Sequence, residues 1–231
     1  MTTLLVAHGT RNPHGVKIIG DLAAAMARTL DETVRVAFVD VLSPAPDEVL
    51  RTMRDEPIVL VPALLSSGHH VRRDVPRCIA ASGHPAVRVT PALGPSPELA
   101  RTMLDRLVEA GWRRGDQVIL AAAGTRDPHA QREVAAAAAM LSVLVGSRVV
   151  IGFAAPCRDG SGYPSVPDAV NRARRTGASR VALASYLLAE GVFQGRLREA
   201  GADVVAAPLG LHPAVIRLAC SRRRYADVIA A

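Results

Sequence analysis

Short β-branched and apolar runs alternate along the chain with longer stretches in which apolar residues return every three or four positions. The runs Thr3–Ala7, Val34–Val41, Pro57–Ala63 and Ala86–Pro91 predict strands. The periodic stretches Gly15–Leu30, Pro44–Arg54, Val71–Ala81 and Ser96–Ala110 predict helices. The last opens on Ser96-Pro97-Glu98, a capping hydroxyl followed by a first-position proline and a first-turn acid. A β-α-β-α series of this kind implies a parallel sheet. The series then runs a second time, with strands at Gln117–Ala123, Arg148–Phe153, Arg180–Leu187 and Ala202–Ala207 and helices between and after them.

The second run repeats the first. Gly9-Thr10-Arg11-Asn12-Pro13-His14 matches Gly124-Thr125-Arg126-Asp127-Pro128-His129, and Pro91-Ala92-Leu93-Gly94 matches Ala207-Pro208-Leu209-Gly210. Pro44-Ala45-Pro46-Asp47 has a counterpart in Pro164-Ser165-Val166-Pro167-Asp168, so three markers recur in order at an offset of 115 to 120 residues. The break falls in the Gly- and charge-rich segment Ala110–Asp116, near Gly115. The expected fold class is therefore α/β: two tandem domains from an internal duplication, 1–115 and 116–231, each a four-stranded parallel sheet flanked by helices and each about 115 residues, close to the commonest domain size. With right-handed crossovers and a strand order of 2-1-3-4, the exit loops of strands 1 and 3 meet.

Composition narrows the function classes. Across 231 residues, 49% hydrophobic and 21% charged content excludes a disordered chain. Aromatics at 3% leave a core of Ala, Val and Leu, which suits helices packed closely on parallel strands. The longest apolar run, Val134–Gly146, is about 13 residues against the roughly 20 of a membrane span, so no membrane association is expected. Met1-Thr2-Thr3 lacks a basic n-region, and the cysteines Cys78, Cys157 and Cys220 are odd in number and far apart. Neither secretion, a disulfide framework nor structural zinc is indicated, and a cytoplasmic location is expected.

The net charge of +7 is almost wholly arginine, Lys17 being the only lysine. The first half carries 14 basic and 12 acidic residues and the second 14 and 9, so the second is the more basic. Nucleic acid is not the expected partner: there is no zinc-finger spacing, no aromatic platform motif and no basic run beyond Arg222-Arg223-Arg224. An anionic small molecule met by guanidinium forks fits the charge, as does an arginine excess set by codon usage alone.

Candidate chemistry comes from what the copies do not share. Gly-Thr-Arg is kept in both, so a tight strand-to-helix turn explains it as well as function does. His8, however, becomes Ala123, and in the loop after strand 3 the run Leu64–His70 matches Leu187–Phe193, with both His69 and His70 lost. Five of the seven histidines lie in the first half, and His8, His69 and His70 follow strands 1 and 3, where open α/β sheets carry ligands. His8 and one of His69/His70 can share a divalent ion there, with Asp40 at the end of strand 2 as the carboxylate in reach. A lone strand-terminal histidine can also serve only its own turn; the paired loss in the second copy favours chemistry. His14 and His129 match each other as helix-start residues, and His84 and His212 sit in loops without an assigned role. The strand 1 turn is neither a dinucleotide fingerprint nor a phosphate loop, and no Gly-x-Ser-x-Gly elbow occurs.

Ala7-His8-Gly9-Thr10-Arg11, together with Gly68-His69-His70-Val71-Arg72-Arg73-Asp74-Val75-Pro76 in a duplicated chain, resembles the CbiX-type sirohydrochlorin chelatases, class II enzymes in their two-domain form. The resemblance implies a lyase that inserts a divalent metal into an acidic tetrapyrrole without ATP, Fe²⁺ for siroheme or Co²⁺ for cobalamin, with Ni²⁺ also a candidate. It implies no permanently bound cofactor and places the reaction in a cleft between the domains. Carried over residue by residue, the family's active-site histidines fall on His8 and His70, which are also the metal ligands together with Asp40. Asp40 stands where the family often has a glutamate. Substrate contacts are expected from Arg11, Arg72 and Arg73, which flank the histidines, and from Ser67, Gly68 and His69. The second domain is then a degenerate copy and the chain a monomer. A non-catalytic tetrapyrrole or metal carrier using the same cleft is the alternative.

Overall fold

The computed structural model describes residues 2–156 and 162–228; Cys157 lies outside them. The chain divides into two compact units, Met1–Gly94 with Pro213–Ala231, and Pro95–His212.

The first unit is built on a parallel sheet of β1 (Thr2–Ala7), β2 (Thr33–Phe38), β3 (Ile58–Pro62) and β4 (Val87–Val89), in the order β2-β1-β3-β4. That is the order in which the exit loops of strands 1 and 3 meet. Strand β1 is buried along its whole length, which is why it reads as a continuous apolar run rather than an alternating one. Helix α1 (Pro13–Leu30) starts where the Asn12 side chain accepts the His14 N–H and ends at Asp31 in the left-handed region, and it buries Ile19, Leu22, Ala23 and Met26. Helix α2 (Pro46–Arg51) is shorter than the periodicity suggests: Glu48 accepts the Ala45 N–H at its start, and it contributes Val49 and Leu50 to a core with Leu4, Val6, Ala37, Met53, Ile58 and Leu60. The helix expected over Val71–Ala81 is divided into a π-helical turn (His70–Asp74) and α3 (Val75–Ser82). Pro76 explains the change. It has no N–H to offer and its ring crowds the carbonyl of Arg72 four residues back, so the ladder widens and Val75 N–H bonds His70 O instead.

The second unit repeats the plan with β5 (Gln117–Ala122), β6 (Val150–Phe153), β7 (Val181–Tyr186) and β8 (Val204–Val205), all parallel in the order β6-β5-β7-β8. Its helices are α4 (Pro97–Glu109), α5 (Pro128–Val145), α6 (Val166–Arg175) and α7 (Val192–Arg198). Helix α5 is capped by Asp127 on His129 N–H, as α1 is by Asn12, and Thr10 and Thr125 each accept the N–H of the capping residue. The Gly-Thr-x-Asn/Asp-Pro-His repeat is thus a turn and cap that serve the fold in both copies. Among the described residues no helix is long and apolar enough to cross a membrane. Burial raises the pKa of the Cys78 thiol, with the Asp47 carboxylate as second cause, and burial likewise raises that of Cys220. Neither offers a ready thiolate.

The sheets divide near Gly115, where the repeat boundary falls, but the packing does not. Helix α4, encoded with the first sheet, buries Leu99, Ala100, Met103 and Leu107 in the second unit against α5 and β7. Helix α8 (Pro213–Val228), encoded with the second sheet, packs in the first unit on α1 and β3. The exchange is fixed by matching contacts. Arg106 of α4 donates to Leu209 O, and Arg222, at the same distance from its helix-starting proline, donates to Ala92 O and Leu93 O. Arg223, 4% exposed, forms a bidentate pair with Glu32 at 2.9 Å through both nitrogens, and Thr3 donates to the same carboxylate. Arg88 also donates to Ala226 O. Two arginines of the run Arg222–Arg224 are therefore structural clamps.

His84 likewise has a structural place: it is buried, Nδ1 accepts from Ala86 N–H and Nε2–H donates to Met53 O at 2.8 Å. For the clamp, Glu32→Ala removes one of the two carboxylates that pair with the buried Arg223 guanidinium, Asp227 being the other, and is expected to destabilise the fold by about 1–3 kcal/mol, read as a lowered urea midpoint.

Candidate functional site

Three strands of the first sheet deliver three side chains to its carboxyl edge. His8 directly follows β1. Beyond β2, Val39 and Asp40 continue the ladder, their N–H groups donating to Ala7 O and His8 O, so Asp40 stands beside His8. Gly9, at φ +99°, makes this possible, because a Cβ there would lie 2.3 Å from Asp40 O. His70 comes from the π-helical turn after β3, whose exit is tied to β1 by Ala63 N–H donating to Val6 O at 2.7 Å. A π turn is a frequent mark of a functional site.

One ligand atom from each of His8, Asp40 and His70 lies within 4.8 Å of the others. The two imidazoles meet edge to face with centroids 4.6 Å apart, and His8 Nε2 is 4.0 Å from Asp40 Oδ2. Four ligands held tetrahedrally at about 2.1 Å from an ion stand roughly 3.4 Å apart, a spacing close to that of these three. The tautomers suit the task. His8 Nδ1 faces Gly9 O at 3.3 Å and His70 Nδ1 faces Asp74 Oδ2 at 2.8 Å. Both oxygens only accept, which puts the protons on Nδ1 and leaves each Nε2 lone pair free. The side chains of His8, Asp40 and His70 are 44%, 58% and 32% exposed, so the site is open to solvent on one side.

Asp74 is the residue the sequence reading missed. It is buried and holds His70 through one oxygen, with Arg77 donating to the other at 3.1 Å and His69 Nε2 3.7 Å from it. A carboxylate on the far nitrogen of a ligating histidine orients the ring and makes it a better donor. The available signal was the spacing: four residues after His70 on a predicted helix is the same face. His69 shares Asp74 but stands outside the trio. Gly68 accepts the Arg72 N–H and so opens the π turn; Ser67 and Gly68 are half-buried beside it, and Arg11, Arg72 and Arg73 are exposed. Among the described residues Arg11 and Arg73 form no ion pair, which leaves their guanidinium groups available.

Among the described residues the second sheet repeats the strand-end backbone without the trio's side chains. Ala154 and Ala155 bond Ala122 O and Ala123 O as Val39 and Asp40 bond β1 and His8, and a Cβ on Gly124 would lie 2.2 Å from Ala155 O. Ala123, Ala155, Phe193 and Leu197 thus replace His8, Asp40, His70 and Asp74. Phe193 carries Arg196 over its ring at 5.7 Å.

Fold and trio together define a duplicated parallel α/β protein that, among the described residues, gathers two histidines and a carboxylate at the strand ends of its first copy. The chain belongs to the CbiX family, whose model matches residues 2–110 and 117–226, once per copy. It is 29% identical over 129 residues to a sirohydrochlorin cobaltochelatase of Methanothermobacter thermautotrophicus, covering 46% of this chain and 90% of that one. It is 23% identical over 206 residues to a sirohydrochlorin ferrochelatase of Priestia megaterium, covering 85% and 76%. Its fold matches that of SirB from Bacillus subtilis, solved with Fe³⁺, at a TM-score of 0.79 and 21% identity over 97% of this chain and 94% of that one.

Replacing Asp74 by Ala removes the acceptor that fixes His70. Imidazole ¹⁵N shifts are expected to show one Nδ1–H tautomer for His70 in the parent and a mixture of tautomers in the variant.

Proposed function

We propose that the chain is a sirohydrochlorin chelatase, a lyase that inserts Fe²⁺ or Co²⁺ into the acidic tetrapyrrole without ATP. The observation that carries the reading is the trio of His8, Asp40 and His70, with ligand atoms within 4.8 Å of one another, in a chain of the CbiX family whose relatives are named for this reaction with either metal. Two imidazoles and a carboxylate suit both ions. The first copy then does the metal chemistry and the second is a degenerate repeat. The reading takes the chain as a cytoplasmic monomer with no permanently bound cofactor, the metal being substrate.

The donor set explains how the steps balance. Three protein ligands leave the outer part of the ion's coordination sphere for the pyrrole nitrogens. Metallation releases two N–H protons for each M²⁺ inserted. As the ion passes to the macrocycle, each freed Nε2 can take one of those protons, so two histidines answer to two protons. Asp74 stabilises the imidazolium formed at His70, and Asp40 does the same for His8. Outside the trio, Arg11, Arg72 and Arg73, with Ser67, Gly68 and His69 in the same loop, meet the substrate carboxylates by charge-assisted hydrogen bonds.

His8→Ala and His70→Ala are each expected to abolish metallation of sirohydrochlorin, followed by absorbance, with the far-UV circular dichroism and thermal unfolding of the parent. Full activity in both variants refutes the proposal. The carrier alternative predicts stoichiometric binding with no rate above the uncatalysed reaction.

A further inference from the structure

Asp40 is followed by a residue in a conformation that L side chains avoid. Val41 has φ +68°, and its branched Cβ makes that region costlier than for most residues. Asp31, the other such non-glycine residue among those described, ends α1, a usual place for the left-handed region. Val41 ends no helix. It is the centre of a three-residue turn in which Leu42 N–H donates to Asp40 O at 2.7 Å. The same turn aims the Val41 N–H at the side chain of the preceding residue, donating to Asp40 Oδ1 at 2.8 Å. One oxygen of a carboxylate that is 58% exposed is thereby held, and the other, Oδ2, is the one 4.0 Å from His8 Nε2. From the opposite side Gly9 closes on the Asp40 carbonyl, so the residue is gripped at main chain and side chain together.

The second copy supplies the comparison. At the place of Asp40 it has Ala155, and at the place of Val41 it has Pro156, whose ring holds φ near −65° and so forbids this turn. Strain of this kind persists only where the surroundings over-determine it, and it gathers at functional sites. Here it occurs in the copy that has a carboxylate to aim and is ruled out in the copy that has none.

We propose that the strained turn at Val41 is a positioning device that holds the Asp40 carboxylate towards His8 and His70, at a cost in fold stability. The inference rests on the trio being the metal site. Val41→Gly adopts the same φ without strain and lets the turn relax. It is expected to raise the Tm of the full chain by about 2–4 °C and to weaken Co²⁺ binding, followed by the d–d absorption of Co²⁺ alone, by roughly tenfold, the low end for a change behind a metal ligand. Asp40→Asn also weakens Co²⁺ binding, and adding Val41→Gly to it brings no further loss, because the valine acts through the carboxylate. The proposal fails if Val41→Gly binds Co²⁺ as tightly as the parent, if its Tm does not rise, or if the two losses simply add. Unchanged binding in both His8→Ala and Asp40→Asn removes the metal-site reading itself, whereas weakened binding in those two beside normal binding in Val41→Gly removes only the role of the turn.

Discussion

Between the Cα of Gly9 and the carbonyl oxygen of Asp40 there is no room for a side chain: a Cβ would sit 2.3 Å from that oxygen. This closeness lets β2 keep pairing with β1 for two residues past its nominal end, and it brings a side chain from each strand to the same spot. Parallel strands usually part at their carboxyl ends to make way for the crossover helices. Here the parting is delayed by one glycine, and an imidazole and a carboxylate reach solvent together at the edge where the order β2-β1-β3 reverses. His70 joins them because β3 is the other neighbour of β1 and because Pro76 forces the following helix to begin with a wide turn.

The second sheet shows which parts of this arrangement belong to the scaffold. Gly124 approaches Ala155 as closely as Gly9 approaches Asp40, and Thr125 and Asp127 rebuild the same turn and cap. The strand-end backbone is therefore indifferent to the chemistry it carries. Four side chains, the turn after the carboxylate and the π turn at His70 make the difference: Ala123, Ala155, Phe193, Leu197 and Pro156 erase the first five, and a regular α-helix replaces the π turn.

Much of this could be read from the chain. The buried strand runs and helix signals gave two parallel α/β sheets, and the duplication singled out His8 and the pair His69 and His70 by their loss; only the family resemblance chose His70 within the pair. Asp74 was hidden because a carboxylate on a helix face looks like any solvated charge until its burial is known. The arginine run misleads in the opposite way: Arg222 and Arg223 add to the net charge in sequence, yet bond carbonyls and a buried glutamate. The exchange of α4 and α8 left no mark in the repeat, since an amphipathic helix does not state which sheet it will cover. Val41 was invisible too, as nothing in a valine announces a positive φ.

The exchanged helices tie the trio of His8, Asp40 and His70 to the order of synthesis. Domains made in sequence usually fold as they emerge, amino-terminal first. The unit bearing His8, Asp40 and His70 completes its packing only late, because the helix that covers α1 and β3 and pairs with Glu32 is made only after the entire second sheet. Closing a loop that long carries an entropic cost and slows the step. The half that carries the two histidines is therefore the first to be made and the last to be completed, and the second copy is the segment the chain must traverse before that half can close.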